Sequence, residues 1–145
     1  MVEFDDSDKT PILLHPAKRA ELLLKGQELF NDERFFEAHE AWEELWRAEA
    51  GRDRAFVQGL ILVAGHFVHV GKGNWSGARS LAFLARGKFA AAARQPVYRA
   101  LDIAPLLAAL DYNIALLDGH IAHAIEVARP APGTGSFITP KLLEK

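Results

Sequence analysis

The sequence predicts an all-α fold, a compact bundle of about five helices built from helical hairpins. Apolar residues recur at the three-to-four-residue spacing of amphipathic helices, and no stretch of the 145 residues alternates apolar and polar side chains as a half-buried strand would. The composition, 50% hydrophobic and 25% charged, is that of a globular domain large enough to bury a core. The absence of cysteine excludes disulfides, thiolate metal sites and thiol nucleophiles.

Helix-breaking and capping residues predict where each helix begins and ends. Pro16 suits a first helical turn, Asn74 suits an N-cap, and Gly51 suits the residue that closes the second helix. Gly119 is a position at which the fifth helix could divide. The predicted helices span residues 17–30, 33–48, 53–70, 75–94 and about 102–129.

The predicted domain occupies residues 16–129, between an N-terminal extension (1–15) and an extended C-terminal tail (130–145). The tail is rich in proline and glycine but ends in four apolar residues: Phe137, Ile138, Leu142 and Leu143. We therefore expect it to cover a groove of its own chain or of a neighbouring copy, and the second case would make a homodimer.

The two predicted hairpins echo one another about forty residues apart. Gly26, Phe35 and Ala38 of the first match the following residues of the second: Gly65, Trp75 and Ala78. Stacked hairpins of this kind resemble the tetratricopeptide architecture, although two units fall short of a solenoid.

Charge is distributed unevenly along the chain, although the net charge is only −2. Residues 1–53 carry a charge of −7 and residues 54–101 a charge of +7. The simpler interpretation is that the two segments face each other, which would place Arg79, Arg86 and Lys88 near acidic side chains of residues 1–53. The alternative is a basic surface for an anion or an acidic partner. The near-zero total argues against nucleic acid as a partner.

The chain is predicted to be cytoplasmic, with no membrane partner. Four of its first eight residues are acidic and none is basic, whereas a signal peptide begins with basic residues followed by apolar ones. The most apolar stretch, residues 60–70, contains His66 and His69 and is too short to cross a bilayer.

The second helix carries the sequence's most distinctive polar residues. Over residues 34–47 its apolar face is interrupted near the centre by His39 and at the edge by Glu43. The two residues are four apart, so their side chains are neighbours. Because burying a polar group without a hydrogen bond is costly, we expect both to be largely buried and at least one to be hydrogen-bonded to the third helix.

Gln58 and His66 of the third helix are the predicted partners, in a small polar pocket walled by Trp42 and Trp46. Three hypotheses remain open for this group. It is a structural hydrogen-bonded pair, a pocket for a small ligand or a protein partner, or a site at which His39 and Glu43 bind a divalent metal. The sequence contains no nucleophile elbow, phosphate loop or dinucleotide fingerprint, and it does not decide whether the chain is an enzyme.

Three segments, residues 35–47, 56–61 and 73–78, resemble the family called domain of unknown function 309. The family's His-x3-Glu-x2-Trp signature is matched by His39, Glu43 and Trp46, and the likeness runs from about Ala20 to Leu110. The resemblance implies a bundle of about five helices with the signature on a central helix. It implies no established activity, only a suspected metal site at the signature.

The sequence thus predicts a helical binding or interaction module with a polar pocket at His39, Glu43 and Trp46. The alternative is a small metal-dependent, hydrolase-like enzyme using the same residues, with His39 as a metal ligand and Glu43 as a ligand or base.

Overall fold

Five helices account for most of the residues that the computed structural model describes, which are 13–92, 97–98, 101–119 and 139–140. The helices are α1 (Pro16–Asn31), α2 (Phe35–Trp46), α3 (Gly51–Gly71), α4 (Trp75–Ala92) and α5 (Ala104–Gly119). The all-α prediction is confirmed. The predicted N-terminal extension lies outside the described residues up to position 12, and so do the end of the predicted fifth helix and most of the tail.

Three strands of two residues each accompany the helices: β1 (Val97–Tyr98), β2 (Leu101–Asp102) and β3 (Thr139–Pro140). They pair antiparallel in the order β1-β2-β3. A strand of two residues is too short to produce an alternating pattern, which explains why the sequence did not predict them.

Local capping sets several of the helix ends. Asn74 caps α4 by accepting a hydrogen bond from the Gly77 backbone N–H at 3.0 Å, as predicted. Asp102 accepts one from the Ala104 backbone N–H at 3.0 Å, just before α5 begins. Gly51, expected to close the second helix, is instead the first residue of α3, with a φ of 62° that glycine adopts without strain.

The core lies where helices adjacent in sequence pack on one another, and α3 contributes more fully buried residues to it than any other helix. Three rings meet between the first two hairpins: Phe30 contacts Phe35 and Phe67 edge-on at centroid distances of 5.1 and 5.6 Å. Trp42 is fully buried and donates a hydrogen bond to the Leu23 carbonyl oxygen at 3.2 Å. A side chain at Gly26 would collide with the Trp42 ring, which explains the glycine there.

Residues Asp53–Gly71 of α3 are long and apolar enough to cross a membrane by length and composition alone. However, 67% of that stretch is buried inside the bundle, as expected for the central helix of a packed domain.

Candidate functional site

His39 and Glu43 lie together at one edge of α2. His39 Nε2 is 3.9 Å from Glu43 Oε1, so the predicted neighbourhood is present. The expectation that both are buried is wrong for Glu43, whose side chain is 42% exposed, whereas that of His39 is 15% exposed. Glu43 lies at the edge of the apolar face of α2, where its carboxylate can reach water.

The imidazole of His39 is held between this carboxylate and an exposed aromatic ring. Phe36, 60% exposed, lies with its ring centroid 5.7 Å from that of His39. His39 Nδ1 is buried and has no hydrogen-bond partner among the described residues. The predicted hydrogen bond to α3 is therefore wrong: within the described part of the chain, neither Gln58 nor His66 bonds to His39 or Glu43.

His66 instead joins two other helices, α4 and α5, in a buried polar cluster. Its Nδ1 lies 2.7 Å from the Ala78 carbonyl oxygen, and its Nε2 lies 3.1 Å from Asn113 Nδ2. Because a carbonyl oxygen only accepts, Nδ1 carries the proton and Nε2 accepts from Asn113. Both side chains are fully buried, and burial lowers the pKa of His66 to about 4. This neutral histidine links α3 to α4 and α5.

The two tryptophans are buried and line neither of the two hollows found beside α2. Trp42 lies in the core, and Trp46 is only 6% exposed, with the Arg54 guanidinium 4.0 Å from its ring centroid. Gln58 is half-buried on α3. The six predicted site residues therefore separate into a surface pair, two buried indoles, a buried histidine and a half-buried glutamine.

A groove follows the solvent-facing side of α2. One hollow of about 420 Å³ is lined by Leu14, Glu40, Glu43, Glu44 and Arg47. A second, of about 290 Å³, is lined by Leu22, Lys25, Leu29, Arg34, Glu37, Glu40, Ala41 and Glu44. We call the two hollows together the α2 groove, because Glu40 and Glu44 line both.

Four carboxylates and three cations line the α2 groove, and the excess of carboxylates lies in the larger hollow. Glu37 is engaged by Arg34 at 2.9 Å, and this hydrogen bond lowers the pKa of Glu37. Glu40 and Glu44 form no ion pair with any residue that the structure describes, although like charges four apart on a helix repel each other. Helix periodicity places Glu40 and Glu44 on the polar side of α2, but it does not reveal the hollows beside them, which depend on Leu14 and on residues of α1.

Two of the three basic residues predicted to face residues 1–53, Arg79 and Arg86, pair with α5 instead. Arg79 binds Asp118 at 2.6 Å, and Arg86 binds Asp111 through two contacts of 2.7 and 3.0 Å. Lys88 forms no ion pair within the described ranges. The prediction failed because charge counted along the sequence does not reveal which helices become neighbours.

The described residues contain no group of three or more histidines or carboxylates that could hold a metal ion. His39 and Glu43 supply two donors, and a divalent metal at this pair stays a prediction.

Residues 23–81 match the family model described as Domain of unknown function (DUF309), which confirms the resemblance read from the sequence. The matched span begins in α1 and ends in α4, and it contains His39, Glu43 and Trp46. No curated protein and no solved structure matches the chain.

Proposed function

We propose that this chain, whose residues 23–81 match the family model of the domain of unknown function 309, is a helical binding module. Its binding surface is the α2 groove together with Phe36 and the His39–Glu43 pair. The larger hollow, at about 420 Å³, falls within the range of about 300–1,000 Å³ typical of ligand pockets.

The position of Glu43 is the main support for this proposal. Its carboxylate lines the larger hollow and also lies 3.9 Å from His39 Nε2. A ligand in the hollow would therefore contact a residue of the family signature, whereas the signature's Trp46 packs beneath as support. The half-exposed carboxylate is accessible to a partner without any rearrangement of the core.

The chemistry of the groove favours a cationic ligand with an apolar neighbour. In the larger hollow three carboxylates, those of Glu40, Glu43 and Glu44, outnumber the single cation of Arg47. Leu14 lines the same hollow, and the exposed ring of Phe36 lies against His39, so apolar surface is present beside the carboxylates. A segment of a partner protein that combines lysine or arginine with leucine-like side chains meets both requirements.

A short amphipathic peptide of lysine and leucine is the probe for this proposal, and the same peptide with glutamate in place of lysine is its matched control. We expect the full chain to bind the lysine peptide, with affinity that falls as salt is raised, and not the glutamate peptide. The double variant Glu40→Gln/Glu44→Gln should bind about fivefold more weakly, from about 0.5 kcal/mol for each exposed ion pair lost.

The double variant Glu21→Gln/Glu28→Gln makes the same change in net charge on α1, at exposed positions outside the hollows. It should bind the lysine peptide as the wild type does. If both double variants weakened peptide binding equally, the affinity would depend only on the net charge of the chain, and the proposed site would be refuted.

The metal-dependent alternative rests on the same His39–Glu43 pair. A catalytic zinc takes three protein ligands and a water, and the described part of the chain supplies two at this place. The donor set does not fit such a centre, so no catalytic step is derived through a metal.

A further inference from the structure

We propose that two copies of this chain associate through the solvent-facing side of α4, packed antiparallel about a two-fold axis. This α4 outer face consists of the exposed residues Ser76, Ser80, Phe83, Leu84, Gly87 and Ala90. None of them is charged, whereas the solvent side of a surface helix normally carries charged residues. The face shares no residue with the α2 groove, so this inference stands independently of the proposed function.

Two large apolar side chains project from the α4 outer face. Phe83 is 56% exposed and Leu84 is 51% exposed. A single exposed apolar residue is ordinary, but adjacent ones on an uncharged helix face form a patch of the kind that protein interfaces cover. The Arg79 guanidinium lies 5.2 Å from the Phe83 ring centroid and covers only one side of it.

Gly87 supplies the complementary gap. It is exposed within α4, and a Cβ placed there would meet no described atom within 4 Å. Glycine inside a helix is less favourable than alanine, and nothing in the described fold requires its lack of a side chain here. The missing side chain of Gly87 would be favourable only where another chain packs closely against α4.

The protruding side chain of Phe83 and the space at Gly87 can be paired by a two-fold axis. Phe83 and Gly87 are four residues apart on the same helix face. In an antiparallel pair of α4 helices centred between them, Phe83 of each copy lies opposite Gly87 of the other, and Ser80 lies opposite Ala90. Such an interface uses one self-complementary surface twice, as closed dimers do.

Electrostatics favour a second copy over a charged partner. Two of the three cations of α4, Arg79 and Arg86, are neutralised within the chain by Asp118 and Asp111, and only the half-buried Lys88 forms no ion pair with the residues that the structure describes. The surroundings of the face therefore carry no net charge from these two ion pairs. A surface that meets its own copy is free of repulsion only when it is balanced in this way.

The variant Gly87→Ala separates this proposal from a purely local role of the glycine. By sedimentation equilibrium of the full chain we expect the wild type to approach twice the 16.0 kDa mass of one chain as concentration rises. Gly87→Ala should weaken the dimer about tenfold by filling the gap, and yet raise the thermal midpoint of the dilute monomer. These two effects have opposite signs.

Phe83→Asp should abolish the dimer, and Phe36→Asp, at a comparably exposed phenylalanine on α2, should leave it unchanged. Far-UV circular dichroism checks that each variant is folded. A wild type that stays monomeric up to its solubility limit would overturn the proposal, and this is also the outcome if the chain's own residues cover the face. A dimer insensitive to both Gly87→Ala and Phe83→Asp would overturn it as well.

Discussion

The buried cluster of His66 should make the bundle less stable at mildly acidic pH. In the folded chain His66 is neutral, because Nδ1 donates to the Ala78 carbonyl oxygen and Nε2 accepts from Asn113. Protonation would place a hydrogen on Nε2, against the amide that donates to it, and a charge in the core. The pKa of His66 is accordingly about 4 in the folded state, below the value of about 6.5 expected for the unfolded chain.

The sign and size of the effect follow from linkage. Between the two pKa values the unfolded chain binds a proton that the folded chain does not, so stability is full above the unfolded pKa and is lost as pH falls towards the folded pKa. The pKa of His66 is lower by about 2.5 in the folded chain than in the unfolded chain, which corresponds to about 3 kcal/mol of the free energy of unfolding. About 2 kcal/mol of this is lost between pH 7 and pH 5.

Urea unfolding of the wild type and of His66→Gln at pH 7 and pH 5 measures this effect. The variant should be less stable at pH 7, because the cluster is disturbed, but should lack the wild type's additional loss of about 2 kcal/mol at pH 5. The other histidines are present in both proteins, so the difference between the two pH responses isolates His66. Equal pH responses would show that His66 is not the source of the acid-induced loss of stability.

Two further predictions address packing and metal binding. Gly26→Ala should lower the free energy of unfolding by about 1–3 kcal/mol, because the new Cβ collides with the Trp42 ring, and chemical denaturation measures it; unchanged stability would mean that the ring moves aside without cost. Zn²⁺ or Mn²⁺ should shift the thermal midpoint equally in the wild type, His39→Ala and Glu43→Gln, measured on protein without an affinity tag. A large shift confined to the wild type would instead support the metal-dependent enzyme.

The fold was predictable where its signals are local. Asn74 was placed correctly because a cap acts on a backbone group three residues away. The burial of α3 followed from its nearly continuous apolar sequence. Gly51 was misplaced by one element because a glycine with positive φ can precede a helix as well as follow one.

The candidate site was less predictable because it depends on long-range packing. The four-residue spacing of His39 and Glu43 guaranteed that they are neighbours, but it did not reveal whether Glu43 faces the core or water. His66 was predicted to bond to α2. Its side-chain hydrogen-bond partner is instead Asn113, 47 residues later in the sequence. Helix periodicity identifies a buried face but not the helix that covers it.

The most direct test of the proposed binding surface is a residue-by-residue nuclear magnetic resonance titration of the full chain with the lysine–leucine peptide. We predict that amide shifts concentrate on Phe36, His39, Glu40, Glu43 and Glu44 and are suppressed in Glu40→Gln/Glu44→Gln. No shifts at an excess of peptide, or shifts confined to residues outside α2, would contradict it.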